Sequence, residues 1–233
     1  MPSPTEGSLS REAVDLVAFD LDNTLYDEGQ YFAGAFKTIA PHLAARSGHA
    51  AATIEARLQA ILREKGRHYN RLFNDVLEAI GLEPAEELPA VLEMYRTAEA
   101  RLELFPGARR LLEDLQGAYR LGMITSGMRV AQENKIRRLN IGSYFEAVVF
   151  SSTLPENKPG QLPFRTLLET MGVSPARAVY VGDNPLFDFK GANELGMFTV
   201  RVRSPEFDGT EVAPDCDGRF QLGGVAELRR ILL

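Results

Sequence analysis

Short apolar runs that alternate with helical patterns constrain the fold of this chain more than any other feature of its sequence. Each run has the length and the β-branched or aromatic content of a strand buried on both faces. The predicted strands cover 14–20, 119–125, 146–151, 178–183 and 197–202. The predicted helices between and after them cover 106–115, 130–139, 163–171, 185–195 and 222–232. The alternation predicts an α/β fold, a doubly wound Rossmann-like parallel sheet.

One segment, residues 28–104, interrupts this alternation. It has no convincing strand, and its apolar residues recur at helical intervals, as in Phe32, Phe36 and Ile39. Glycine-containing breaks divide it into four amphipathic helices. These breaks fall near 47–49, 66 and 81–84. We therefore expect a core domain built from 12–27 and 105–233, with an inserted four-helix domain at 28–104.

Composition excludes several classes of protein. The 26 Lys and Arg against 32 Asp and Glu give a net charge of −6, which lacks the basic character of a nucleic-acid binder. No run reaches the ~18 apolar residues of a membrane span, and the polar N-terminus lacks the apolar core of a signal peptide. The single cysteine, Cys216, cannot form an intramolecular disulfide. We expect a cytoplasmic protein without nucleic-acid or membrane partners, either a monomer or a homodimer.

Pairs of aspartates follow two of the predicted strands. Asp20 and Asp22 lie two residues apart at the end of the first strand, a spacing that points both side chains to one side in an extended chain. Asp183 and Asp188 follow the fourth strand. Strand carboxyl ends form the ligand crevice of an open α/β sheet, and like charges that share a site need a cation or a proton between them. Clustered carboxylates there favour Mg²⁺ over Ca²⁺.

Two further strand ends carry groups that suit an anion. The segment Thr125-Ser126-Gly127 supplies two hydroxyls and backbone N–H groups before a helix, and Lys158 precedes a proline after the third strand. Each signal is weak alone, because such turns and lysines are common. Their shared position at successive strand ends makes a phosphate site the better interpretation.

Together these segments resemble, in order and spacing, the four motifs of the haloacid dehalogenase superfamily. The inserted helices look like the helical C1 cap of that family. The similarity covers about 14–28 and 106–202, and Ser126 stands where many members carry Asn. The matching segments are Asp20-Leu21-Asp22-Asn23-Thr24-Leu25, Ile124-Thr125-Ser126-Gly127, Lys158-Pro159, Gly182-Asp183 with Asp188, and Gly191-Ala192.

The resemblance implies a phosphatase that acts through a covalent aspartyl-phosphate. In that reading Asp20 is the nucleophile, and Asp22 is the general acid and base. Mg²⁺ would be held by Asp20, the backbone carbonyl of Asp22 and Asp183, with Asp188 a further ligand or a support. Thr125, Ser126 and Lys158 would bind the phosphoryl oxygens. The implied substrate is a small phosphorylated metabolite, and both nucleotidases and sugar-phosphate phosphatases fit the pattern.

Three alternatives use the same scaffold. A phosphomutase would keep the same four motifs. A haloacid dehalogenase would need neither Asp22 nor the Gly182-Asp183 motif, so their presence favours phosphatase chemistry. A catalytically silent binding protein is the third, because a fold alone does not prove activity.

Overall fold

The computed structural model describes residues 11–233, and its centre is a six-stranded sheet in which every strand pair is parallel. The strand order is β3-β2-β1-β4-β5-β6, so β1 lies between β2 and β4. The doubly wound sheet predicted from the sequence is confirmed. Its strands are β1 (Leu16–Phe19), β2 (Arg120–Thr125), β3 (Ala147–Phe150), β4 (Ala178–Gly182), β5 (Phe198–Val202) and β6 (Phe220–Leu222).

Helices flank the sheet and form a second unit. They are α1 (Gly29–Ser47), α2 (Ala51–Lys65), α3 (Leu72–Ala79), α4 (Pro84–Arg96), α5 (Ala108–Gln116), α6 (Arg129–Leu139), α7 (Leu162–Met171), α8 (Lys190–Leu195) and α9 (Arg229–Leu232). Within residues 11–233, none of these helices is both long enough and apolar enough to cross a membrane.

The chain divides into two compact units. The sheet unit contains the described residues up to Asp27, together with Glu103–Gln132 and Leu139–Leu233, and the helical unit contains Glu28–Leu102 and Glu133–Arg138. This division differs from the expected one because the second half of α6 groups with the inserted helices. Asn134 on that half donates a hydrogen bond to the carbonyl oxygen of Ala98 at 2.9 Å, which explains the grouping.

The sheet unit is held by an apolar core on which α7 packs. Its inward-facing residues Phe164, Leu167 and Met171 are buried against strand residues such as Ile124 and Tyr180. At about 25 cal/mol per Å² of buried apolar surface, such a face is the dominant favourable term in folding. Packing of this core therefore fixes the positions of the strand ends that carry the predicted site residues.

The helical unit has a core of its own, in which aromatic rings predominate. Tyr31 and Phe32 of α1 contact Tyr95 of α4, with ring centroids 5.3 and 5.6 Å apart. The four helices and the glycine-containing breaks between them lie where the sequence predicted them.

Two predicted helices were wrong in part. The predicted helix at 185–195 begins only at Lys190, because Asp188 accepts hydrogen bonds from the backbone N–H groups of Asp183 and Asn184 and holds the preceding residues in a turn. The predicted helix at 222–232 overlaps the end of β6, and only Arg229–Leu232 is α-helical. Strand β6 has three residues and a half-exposed side-chain pattern, so it carries no apolar run that would predict it.

Candidate active site

Three buried carboxylates lie at one edge of the sheet. Asp20 directly follows β1 and Asp183 directly follows β4, and these two strands pair in parallel. The backbone N–H of Asp20 donates a hydrogen bond to the carbonyl oxygen of Val181 at 2.8 Å, which fixes the two strand ends in register. One carboxylate oxygen from each of Asp20, Asp183 and Asp188 lies within 4.8 Å of the others. The structure thus brings together three of the four predicted acidic residues.

A buried ammonium group lies against this cluster. Lys158 Nζ donates hydrogen bonds to Asp20 Oδ1 at 2.6 Å and to Asp188 Oδ1 at 2.7 Å. It also donates to the hydroxyl of Tyr180 at 3.1 Å. Although burial opposes the charged form, the two carboxylates raise the pKa of Lys158 well above its usual value. Lys158 therefore remains a cation at the centre of the site.

Asp188 is held by protein donors on both of its oxygens. Its Oδ1 accepts from Lys158 and, at 3.3 Å, from the hydroxyl of Tyr180. Its Oδ2 accepts the N–H groups of Asp183 at 3.1 Å and of Asn184 at 2.9 Å. A Cβ atom at position 182 would lie 2.5 Å from this Oδ2, so the close packing requires Gly182. Asp188 thus supports both the lysine and the loop that carries Asp183.

Backbone packing places the loop that carries Lys158. The N–H of Gly191, at the start of α8, donates a hydrogen bond to the carbonyl oxygen of Pro159 at 3.0 Å. A Cβ atom at position 191 would lie 2.5 Å from the carbonyl oxygen of Gly160 and 2.7 Å from that of Pro159. Only glycine permits this approach of one backbone to another.

The cluster carries surplus negative charge. With all groups ionised, three carboxylates against one ammonium leave a formal charge of −2. Burial raises the pKa of Asp20 to about 8 despite the attraction of Lys158, and repulsion from Asp188 and Asp22 adds to the rise. Burial, followed by repulsion from Asp188 and Asp20, also raises the pKa of Asp183 well above its usual value. Such a site favours the addition of a cation.

The donor set fits Mg²⁺. Asp183 is buried, and its Oδ2 has no hydrogen-bond partner, whereas its Oδ1 accepts from the hydroxyl of Thr24 at 3.4 Å. An unpartnered buried carboxylate oxygen is costly unless a cation binds it. Hard oxygen ligands in small number, with room left for water and phosphate, are what Mg²⁺ prefers. Asp20 and Asp183 are therefore suitable ligands, while the oxygens of Asp188 already accept four hydrogen bonds.

Asp22 lies outside the carboxylate cluster. Its Oδ1 accepts a hydrogen bond from the hydroxyl of Tyr26 at 2.6 Å, and its Oδ2 accepts one from Gln132 Nε2 at 2.7 Å. The same amide nitrogen of Gln132 donates to the hydroxyl oxygen of Thr125. Asp22 is therefore not a member of the group of three, although its charge acts on Asp20, and Gln132 links it to the end of β2.

The two predicted hydroxyls at the end of β2 have different surroundings. Thr125 is buried, and its hydroxyl oxygen meets Gln132. The hydroxyl of Ser126 lies 2.8 Å from that of Ser151 and donates to Asn157 Oδ1 at 3.4 Å. Asn157 Oδ1 also accepts the backbone N–H of Lys158 at 2.8 Å. The loops after β2 and β3 are thus joined by side chains next to both candidate phosphate ligands.

Two polar residues of the site were missed in the sequence analysis. Gln132 belongs to no motif, and its position on α6 looks like any polar helix residue. Tyr180 lies in an apolar strand, where an aromatic ring is ordinary core. Both are buried, and their polar atoms meet charged groups only in the folded chain. One signal was present for Tyr180, because it precedes Asp183 by three residues in a strand whose end carries the chemistry.

Comparison with known proteins identifies the family of this chain. Residues 17–202 match the model of the haloacid dehalogenase-like hydrolase family. A glyceraldehyde 3-phosphate phosphatase of Methanopyrus kandleri is 33% identical over 220 residues, covering 88% of this chain and 90% of the relative. A phosphoserine phosphatase of Thermus thermophilus is 30% identical over 178 residues, covering 76% and 68%.

A solved structure shows the same fold. It is that of a magnesium-bound HAD hydrolase from Bacillus subtilis, which superposes with a TM-score of 0.71 at 22% identity and covers 94% of this chain and 98% of that one. The family model and the relatives indicate one family, and the fold of the solved structure is consistent with it. The chain therefore belongs to the haloacid dehalogenase-like hydrolase family, among its phosphatases.

Proposed function

We propose that this protein hydrolyses small phosphomonoesters with Mg²⁺, through an aspartyl-phosphate formed on Asp20. The observation that carries the proposal is the buried cluster of Asp20, Asp183 and Asp188 around Lys158, in which one oxygen of Asp183 has no partner. A carboxylate nucleophile, a fixed cation and a place for a metal are the parts that phosphoryl transfer needs.

In this proposal the protein side chains divide the reaction into two steps. A carboxylate oxygen of Asp20 bonds to phosphorus while the bond from phosphorus to the alcohol oxygen breaks, and Asp22 gives that oxygen its proton. Asp22 then takes a proton from a water molecule that attacks the phosphoenzyme, which releases phosphate and restores Asp20. Asp22 ends each cycle in its starting protonation state.

The remaining residues bind charge. Lys158, Thr125 and Ser126 would hold the phosphoryl oxygens. Bound Mg²⁺ would be held by Asp20, Asp183 and the backbone carbonyl of Asp22, and it would neutralise charge on the phosphoryl group. Asp188 would act as a support, because protein donors already satisfy its oxygens.

The relatives support a proposal for the substrate class. Those named above are phosphatases of glyceraldehyde 3-phosphate and phosphoserine, so short phosphorylated metabolites are the first candidates. We further propose that the helical insert, residues 28–104, serves as the substrate-selecting cap domain.

The test is phosphate release by the purified full chain. The panel contains glyceraldehyde 3-phosphate, phosphoserine, a nucleoside monophosphate and p-nitrophenyl phosphate, each with Mg²⁺ and with excess EDTA. We expect Mg²⁺-dependent release and rapid-quench label on Asp20. Isomerised phosphoester without free phosphate would indicate a mutase. Dehalogenation of a 2-haloacid in EDTA would indicate a dehalogenase, and either result would overturn the proposal.

A further inference from the structure

The side chain of Gln132 links two parts of the site that no motif connects. Gln132 lies on the first turn of α6, is 1% exposed, and belongs to the sheet unit. Its Nε2 donates to Asp22 Oδ2 at 2.7 Å and to the hydroxyl oxygen of Thr125. A primary amide nitrogen has two hydrogens, so it can serve both acceptors at once.

The orientation of this amide follows from its partners. While Asp22 is ionised it can only accept hydrogen bonds, so in that state the nitrogen of Gln132, and not its oxygen, faces Asp22. Thr125 then accepts at its hydroxyl oxygen, which leaves its own hydroxyl hydrogen to be donated elsewhere. A phosphoryl oxygen is the natural acceptor for that hydrogen.

Both oxygens of Asp22 are held by donors on different segments. The hydroxyl of Tyr26 binds Oδ1 at 2.6 Å, and Gln132 binds Oδ2. Two donors fix the plane of a carboxylate as well as its position. A general acid works only when its proton lies within hydrogen-bond reach of the leaving oxygen, and small misplacements cost large factors in rate.

We propose that Gln132 is a positioning residue that holds Asp22 for proton transfer to the leaving group. The inference rests on the proposed function, since it needs Asp22 as the general acid. None of the four motifs includes Gln132. A purely structural role would instead have the amide fill space beneath the end of β2, and would affect all substrates alike.

The experiment separates these roles by the leaving group. An alkyl alcohol leaves only when protonated, whereas p-nitrophenolate leaves without a proton. The parameter kcat/KM reports the steps up to phosphoenzyme formation, so the later role of Asp22 toward water does not enter it. We would compare glyceraldehyde 3-phosphate with p-nitrophenyl phosphate in the full chain with Mg²⁺.

The variant is Gln132→Met, which keeps the length of the side chain and removes both donors. We expect kcat/KM on the alkyl ester to fall about 100-fold and that on p-nitrophenyl phosphate to fall less than about threefold. Tyr26→Phe removes one donor from the same carboxylate and leaves Thr125 untouched, so it should show the same selectivity with a smaller loss. Tyr26→Phe also tests the positioning of Asp22 if Gln132→Met fails to fold.

The matched control is Gln116→Met. Gln116 is exposed on α5 and donates to the carbonyl oxygen of Ser143 at 3.1 Å, so this change removes a hydrogen bond of a glutamine amide that lies outside the four motifs. In Gln116→Met, kcat/KM on both substrates should be unchanged. Equal losses on both esters in Gln132→Met and Tyr26→Phe would overturn the positioning role alone. A wild-type chain inactive on every ester of the panel described above would overturn the proposed function and this role with it.

Discussion

Each unit of the molecule buries a lysine, and the two lysines have similar surroundings. Lys158 in the sheet unit and Lys135 in the helical unit have side chains that are 3% and 2% exposed. Each ammonium lies near a tyrosine ring, 5.8 Å from the centroid of Tyr180 and 5.0 Å from that of Tyr31. Burial of a lysine beside an aromatic ring therefore does not distinguish a site from a scaffold.

The number of closely grouped carboxylates around each ammonium does distinguish the site from the scaffold. Lys135 forms an ion pair with Glu28 at 2.9 Å, and within residues 11–233 no group of three close carboxylates surrounds it. Lys158 meets Asp20 and Asp188, with Asp183 in the same cluster. The surplus of carboxylates is what requires a further cation. A buried ion pair alone is weak grounds for either stability or function, and the unbalanced cluster is the informative one.

The polar atoms next to the two lysines differ as well. In the helical unit the amide of Asn134 donates to the carbonyl oxygens of Ala98 and Arg96 and to the hydroxyl of Tyr31. In the sheet unit Asp183 Oδ2 is buried without a partner. His42 Nε2 and Arg138 Nε of the helical unit are also buried without a hydrogen-bond partner, so the unpartnered oxygen of Asp183 is informative because it lies in a cluster with surplus negative charge.

The largest contrast in kcat should be that between substitution of Asp20, which pairs with Lys158, and substitution of Glu28, which pairs with Lys135. Asp20→Asn should lower kcat about 10⁴-fold or more, because an amide cannot attack phosphorus. Glu28→Gln, the equivalent change in the helical unit, should leave kcat within about threefold of wild type. Phosphate release and rapid-quench labelling measure both. Label on a residue other than Asp20 would contradict the assignment.

Substitution of the lysines themselves should give the next largest contrast, with Lys158 affecting kcat/KM and Lys135 affecting the free energy of unfolding. Lys158→Met should lower kcat/KM about 10²- to 10³-fold, since a charge that stabilises the transferring phosphoryl group is lost. Lys135→Met should lower the free energy of unfolding by about 3 kcal/mol and change kcat/KM little, because it removes the buried ammonium that pairs with the partly buried carboxylate of Glu28. Urea unfolding and steady-state kinetics give the two readouts.

A double variant tests the cause of that instability. Glu28→Gln combined with Lys135→Met should recover part of the lost stability, because both charges of the ion pair are then removed together. If Lys135→Met abolishes turnover in a fully folded chain, the contrast between the two lysines is wrong.

The metal requirement should differ between carboxylates of the sheet unit. Asp183→Ala should raise the Mg²⁺ concentration for half-maximal activity by about 100-fold or more, because a principal ligand is removed. Asp15→Ala removes a half-exposed carboxylate paired with Arg177, and it should leave the requirement unchanged. Calorimetric titration with Mg²⁺ checks both without relying on turnover. Ca²⁺ should inhibit, since its longer bonds would misplace Asp20.

The smallest effect should come from exposed residues of the helical unit. The segment 66–71 mixes aromatic and basic side chains that suit a phosphorylated metabolite. His68→Ala should change the ratio of kcat/KM between glyceraldehyde 3-phosphate and phosphoserine by about three- to tenfold, with little effect on p-nitrophenyl phosphate. His49→Ala, an exposed histidine of the same unit outside that segment, should not change the ratio. Uniform scaling of all substrates by His68→Ala would indicate a scaffold role.

The sequence predicts well those features that depend on neighbours along the chain. Five strands are apolar runs, and their ends carry Asp20, Thr125 and Asp183, so the placement of the motifs follows from topology. The four helices of the insert follow from apolar periodicity and glycine breaks.

Features that depend on contacts between distant residues were not predictable. The start of α8 at Lys190 was missed for a local reason, because it depends on hydrogen bonds that the Asp188 side chain accepts from residues four and five positions earlier. The grouping of residues 133–138 with the helical unit depends on Asn134 and Lys135. The partner of Asp22 on α6, Gln132, is 110 residues away in the chain. Side-chain partners at such separations have no periodic signature in one sequence.

The backbone contact at Gly191 has a consequence for reading relatives of this chain. A Gly191→Ala chain would retain each aspartate, hydroxyl and lysine of the four motifs, yet the added methyl group would meet the carbonyl oxygens of Pro159 and Gly160. The loop that carries Lys158 would have to shift, and its ammonium would be carried away from Asp20. A substitution at a position with no reactive group can therefore abolish activity. The presence of every reactive residue in a relative does not by itself show that the relative is an active enzyme.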